Sequence, residues 1–126
     1  MRTLIILNDP PYGSERTYNG LRLAHALGKA DAANAVTLFL MADAVGAAKT
    51  GQRTPDGYYN IERMLKRVAL GGGKVLLCGT CMDARGLGEA EILDGARRST
   101  MDALAAITVA ADKALIKAYD VALAVK

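Results

Sequence analysis

Two cysteines, Cys78 and Cys81, stand two residues apart in Leu77-Cys78-Gly79-Thr80-Cys81-Met82-Asp83-Ala84-Arg85-Gly86, directly after an apolar run. Four chemistries use such a pair. Zinc needs about four ligands at a structural site and three plus water at a catalytic one. The chain offers two cysteines and one histidine, His25, which falls inside a helical pattern and reads as an ordinary helix residue. No metal site and no cofactor are therefore expected. A thioredoxin-like dithiol suits the spacing. However, the pair follows what counts as the third strand, and the last proline is Pro55, so no downstream proline supplies a partner loop. A third reading is two buried, inert thiols, since free cysteine is among the most buried residue types. Against it, Gly79 and Thr80 suggest that the chain leaves the core after Cys78.

The fourth reading is a nucleophilic thiol that carries sulfur. The thiolate is the reactive species, and a nearby cation or a helix N-terminus favours it. Arg85 is a candidate cation. The backbone N–H groups of Thr80 to Asp83 would help if that segment turns helical. Asp83 opposes both, because a nearby carboxylate disfavours a thiolate. Gly79 leaves room beside the sulfur. Local chemistry alone does not separate sulfur carriage from dithiol exchange.

A second loop, Asn8 to Arg16, also has distinctive residues. Pro10, Pro11 and Gly13 shape a turn, and Ser14 or Thr17 is placed to cap the helix that follows. Tyr12, Gly13 and Ser14 are candidates for a substrate-side wall, joined by Gly79 and Thr80 from the cysteine loop. Tyr58 and Tyr59 read as packing or interface residues.

Both loops need a scaffold. Thr3 to Leu7 is a continuous apolar run, the pattern of a strand buried on both faces in a parallel sheet. Leu21, Ala24 and Leu27 have helical spacing, with Gly28 near the end. Val36 to Met41 is a second strand. Gly46 to Asn60 reads as a long surface loop after a short helical turn. Ile61, Met64, Leu65, Val68 and Ala69 mark an amphipathic helix, stopped by Gly71-Gly72-Gly73. Lys74 to Leu77 is a third strand. Leu87 to Ala96 carries mixed signals, with Ile92-Leu93 a brief strand candidate. Ser99 or Thr100 caps a helix marked by Met101, Leu104, Ala105 and Thr108, with Asp102 in its first turn. Ala114 to Ala118 is a last strand, and Val121 to Val125 an apolar tail. Strands alternating with helices imply a single α/β layer sandwich with a mainly parallel sheet of about five strands. Residues 1–118 form one domain and 119–126 a tail. Ligands in such folds bind at the carboxyl ends of the strands, where both loops lie.

Composition narrows the function classes. The chain has 126 residues, 52% of them apolar, which suits one well-filled domain. Net charge is +3, spread along the chain with no basic block among aromatics, so no nucleic-acid surface is expected. No run approaches the ~20 apolar residues of a membrane span, and nothing reads as a signal peptide. A cytoplasmic protein is expected, a compartment where paired cysteines tend to be reactive.

These residues resemble the DsrE/DsrF-like family, most closely its YchN-type branch. The resemblance runs through Pro11-Tyr12-Gly13-Ser14-Glu15, Leu21-Arg22-Leu23-Ala24, Leu38 to Val45, Gly57-Tyr58-Tyr59-Asn60-Ile61, Cys78 to Gly86, Asp94-Gly95 and Ala110-Ala111-Asp112-Lys113. It implies an α/β/α sandwich and a cytoplasmic oligomer, with a homohexamer favoured here. It implies sulfur relay, a sulfurtransferase or carrier activity in which a cysteine after the third strand holds a persulfide. That position is Cys78, with donor and acceptor proteins as partners. Cys81 would resolve the persulfide or form a protective disulfide, and Arg85 would stabilise the thiolate. The rival reading is a non-catalytic oligomeric module whose loop binds a ligand or partner.

Overall fold

One sheet forms from β1 (Arg2–Leu7), β2 (Ala35–Leu40), β3 (Lys74–Cys78), β4 (Ala96–Ser99), β5 (Lys113–Lys117) and β6 (Ala122–Val125), all of them apolar runs except β4. The helices are α1 (Arg16–Ala30), α2 (Ile61–Leu70), α3 (Gly79–Ala84) and α4 (Met101–Ala110), with 3₁₀ turns at Ala42–Ala48 and Glu89–Glu91. This computed structural model describes residues 1–55 and 58–116 in full, and the backbone of 117 and 122–125. Gly57, Ala118 and Val121, which carry parts of the expected pattern, lie outside the described residues.

Strand order is β4-β3-β2-β1-β5-β6. The first five strands are parallel and β6 pairs antiparallel with β5 at the edge. Central β1 explains its unbroken apolar run. Its alternate side chains serve two cores. Ile5 and Leu7 pack with Leu38, Leu40 and Leu77 beneath Leu21 of α1 and Leu65 of α2. Leu4 and Ile6 pack with Phe39 and Cys78 beneath Leu104 of α4. That is the three-layer α/β/α arrangement. Gly20 lets α1 approach closely, since a Cβ there would meet a Leu7 methyl at 2.5 Å.

Caps set the helix starts. Asn60 accepts a hydrogen bond from the Arg63 N–H at 3.0 Å and Thr100 accepts one from Ala103 at 3.1 Å. Ser99 instead ends β4. At α1 Thr17 does not cap, and Ser14 accepts only a long hydrogen bond, 3.4 Å, from the Arg16 N–H. Their hydroxyls donate to the Asp9 carboxylate and the Asp9 carbonyl, leaving Glu15 as an N-cap without a side-chain bond.

Two expectations about loops change. The helical turn after β2 runs further than expected: Ala47 and Ala48 are fully buried with Ala44 and Val45, and the surface loop begins at Lys49, from which the described residues up to Tyr59 are half-buried or exposed. Small side chains let this turn lie in the core, where a loop of larger polar residues would not fit. Ile92-Leu93 forms no strand. A 3₁₀ turn precedes it, closed by the Gly88 N–H donating to Glu91 at 2.8 Å. Ile92 makes only an isolated bridge to Lys49. The fourth strand is Ala96–Ser99.

Parallel register aligns the strand ends. Leu7 faces Leu40, Leu40 faces Leu77, and Cys78 faces Ser99. The loops after β1, β2 and β3 therefore all leave from one edge of the sheet.

Candidate functional site

Cys78 is the last residue of β3 and the N-cap of α3. The expected helical turn after it does form, but the chain stays in the core: Cys78 is 6% exposed, and Met82 is fully buried. Thr80 faces solvent. Three residues on, one helical turn brings Cys81 back beside Cys78. Both thiols are free. Burial pushes the Cys81 thiol up, a hydrogen bond with Cys78 adds to this, and the Ala42 backbone N–H pulls it down. The Cys78 charge raises it and the Arg85 charge lowers it, both more weakly. Ala42 occupies the left-handed region at φ 50°. A side chain rarely sits there without support from surrounding structure.

The charges divide differently from expectation. Arg85 donates through Nε to Asp43 at 2.8 Å and through a terminal nitrogen to the Cys81 carbonyl at 3.1 Å. It is therefore tied to the Cys81 side of the site, one turn past Cys78. Asp83 forms a bidentate bridge with Arg98, both contacts at 2.8 Å. That bridge holds the Asp83 carboxyl below the usual carboxylate range and raises the Arg98 guanidinium. Arg98 lies over Gly79, where a Cβ would sit 2.8 Å from its Cζ. The sequence displays Arg98 only as half of an Arg97-Arg98 pair. A strand through Ala96–Ser99 was the signal that would have aimed it.

The loop after β1 forms a separate hollow of about 380 Å³. It is lined by Tyr12, Gly13, Ser14, Tyr18, Tyr59 and Ile61 among others, and by no residue of the cysteine loop. Tyr59 stacks on Tyr18 with ring centroids 4.3 Å apart, itself at φ 56°. The Tyr12 hydroxyl donates to Gln52 and accepts from the Ile61 N–H at 3.1 Å. Ser14 donates to Asp9, which also pairs with Arg16 at 3.1 Å. Thus Cys78, Cys81, Gly79 and Thr80 come together, Arg85 sits at their margin, and Tyr12, Gly13 and Ser14 do not join them.

His25 lines a different groove with Gly72 and Gly73, toward the amino ends of the strands. A cavity of about 670 Å³ opens at that end, between the sheet and α4, with Leu4, Leu76, Arg97 and Ile107 among its lining. Among the described residues no group of three or more His, Cys, Asp or Glu side chains gathers to hold a metal. No described helix is long and apolar enough to cross a membrane.

The fold has counterparts. A profile of the DsrE/DsrF-like family matches residues 1–116, and the chain belongs to that family. Membership supports a protein of the sulfur-relay-related kind. Within it the chain is of the YchN type. It is 42% identical over 114 residues to YchN of Escherichia coli strain K12, covering 90% of this chain and 97% of that one. The crystal structure of that protein superposes with a TM-score of 0.87 over 91% of this chain and 97% of the other. An uncharacterized protein of Methanocaldococcus jannaschii is 36% identical over 112 residues, covering 89% of this chain and 96% of its own. A protein of unknown function from Methanobacterium thermoautotrophicum shares the fold at 9% identity, with a TM-score of 0.76 over 91% of this chain and 97% of its own.

Proposed function

We propose that the protein is a sulfur carrier in which Cys78 holds sulfane sulfur as a persulfide. The observation that supports this most is the placement of Cys78. It ends a strand at the edge where such sheets hold their sites, at the start of a helix, with a second thiol one turn away. The Cys78 thiolate attacks the outer sulfur of a donor R–S–SH. A new S–S bond forms, the donor's S–S bond breaks, and the donor leaves as R–S⁻. Attack by an acceptor thiolate on the outer sulfur then regenerates Cys78. Cys81 attacking the inner sulfur of the charged form yields a Cys78–Cys81 disulfide and releases hydrosulfide. Gly79 and Thr80 flank the reacting sulfur. Donor and acceptor proteins are the partners, in the cytoplasm.

The protein works as a homo-oligomer in this reading, with a hexamer favoured by the family resemblance. Support comes from α4, which is apolar all round. It buries Leu104, while Val109 is 89% exposed and Met101 57% exposed. A helix of that composition is ordinarily covered on every side.

The test is intact mass after exposure to a low-molecular-weight persulfide. One sulfur adds about 32 Da, expected for an activated thiol. Cys78→Ser should abolish the gain. Cys81→Ser should keep the adduct and lengthen its lifetime, because the internal resolving attack is gone. The contact between the two thiols also supports a dithiol redox protein. That reading expects the reagent to leave only a disulfide, with no sulfur retained in Cys81→Ser.

A further inference from the structure

Arg98 reaches the cysteine loop from a neighbouring strand. Register pairs Ser99 with Cys78 and Arg98 with Leu77, so β4 delivers the guanidinium alongside the end of β3. Two features hold it there. Asp83, on the first turns of α3, takes one donor from each terminal nitrogen. Gly79 provides a bare backbone against which the guanidinium packs, with Nε 2.8 Å and a terminal nitrogen 2.9 Å from the position of an absent Cβ. Arg98 therefore lies against the residue that directly follows the reacting sulfur. Its side chain is 38% exposed, so one edge faces solvent. A guanidinium has more donors than a bidentate bridge consumes. The other arginine of the loop is differently engaged, with Asp43 and the Cys81 carbonyl.

We propose that Arg98 is a positioning cation that makes Cys78 react preferentially with anionic sulfur compounds, the class that includes persulfide and thiosulfonate anions. Asp83 fixes its orientation and offsets part of its charge. Gly79 is required because any side chain would displace it. Besides Asp83, the charge of Glu89 and, last in size, that of a Cys78 thiolate also attract the guanidinium. The proposal deepens the sulfur-carrier reading and rests on Cys78 as the reacting thiol. Its test uses no sulfur donor, so either can fail without the other.

The experiment compares alkylation of Cys78 by iodoacetate, an anion, and iodoacetamide, its neutral analogue. Rates are read by fragment mass at one pH and one ionic strength. Arg98→Gln should lower the iodoacetate-to-iodoacetamide rate ratio about fivefold, a size expected for one charge near a partly exposed site. Asp83→Asn should raise the ratio, Gly79→Ala should lower it, and Arg98→Lys should recover part of it. Added salt should compress the ratio in the parent protein and barely affect it in Arg98→Gln. An unchanged ratio in Arg98→Gln overturns the proposal, as does an equal fall of both rates, which would mark Arg98 as a structural support only. If Arg98→Gln does not fold, Asp83→Asn and Gly79→Ala still decide, and movement of both in the same direction counts against the proposal.

Discussion

Cys81 is pulled in two directions. Burial and its neighbour Cys78 keep the thiol protonated, while the Ala42 amide and Arg85 favour the thiolate. The net result is upward, so labelling of Cys81 should require more alkaline solution than an unperturbed thiol. Arg85→Gln removes a favourable charge and should push the labelling curve further upward; a downward move, read by fragment mass at graded pH, contradicts this. The same shift has a stability consequence. The folded chain keeps the Cys81 proton at pH values where the unfolded chain has lost it. This contribution is fully present below the ordinary thiol range and is lost as pH rises from there through the raised value of the folded chain. Denaturant titrations should show an alkaline loss that is smaller in Cys81→Ser. The closeness of the two thiols was legible because Cys-x-x-Cys is a local signal. The partners of the charges were not. Arg85 and Asp83 share a segment with the thiols, yet their bonds go to Asp43 and Arg98, 42 and 15 residues away. Only register decides such pairings, and register is a property of two strands.

Helix α2 could be read from spacing and its cap because one face follows a helical repeat, and α4 from its Thr100 cap and the apolar run behind it. β4 could not. Its four residues, Ala-Arg-Arg-Ser, show a burial pattern of half-buried and exposed positions with no apolar alternation. Edge strands commonly carry charge, which blunts unwanted pairing and hides them from a hydrophobic pattern. The segment after the 3₁₀ turn at Ala42–Ala48 was equally opaque. Gln52 organises it. Its amide nitrogen donates to the carbonyls of Ala47 and Lys49, each at 2.8 Å, and its oxygen accepts from Tyr12 and the Glu62 N–H. Its backbone N–H donates to Glu62 at 2.9 Å, while its carbonyl accepts from Asn60. Nothing in Thr50-Gly51-Gln52-Arg53 reveals that role, since every partner lies on another element or turn. Gln52→Ala strands several half-buried polar groups and should cost about 2 kcal/mol in a denaturant titration. A loss below a few tenths would mean that water replaces the side chain without penalty. Gln52→Glu should not rescue it, because a carboxylate cannot donate to the two carbonyls.

At the level of the whole molecule, α4 leads to the remaining prediction. Its outer face is apolar and exposed in a single chain, so light scattering at micromolar concentration should report an oligomer. Val109→Asp should weaken that assembly while leaving the circular dichroism of the chain intact, since Val109 makes little use of the chain's own core. A monomeric parent protein would remove the basis for a covered α4. The sandwich itself was legible because four apolar runs, those of β1, β2, β3 and β5, alternate with helical ones, but the order of strands was not. That order carries a consequence for synthesis on the ribosome. One side of β1 is soon met by β2, whereas the other waits for β5, near the far end of the chain. Arg2 and Asp112 are joined by two backbone-centred bonds across that gap, 2.7 and 2.8 Å long. At ordinary translation speeds β1 stands half-paired for roughly 5–20 s after it emerges. Throughout that interval a nascent chain offers an apolar, unpaired strand edge to other nascent chains. Released chains that end just short of Lys113 should therefore be the most aggregation-prone form of this protein, and those that end shortly beyond Lys117 a much safer one.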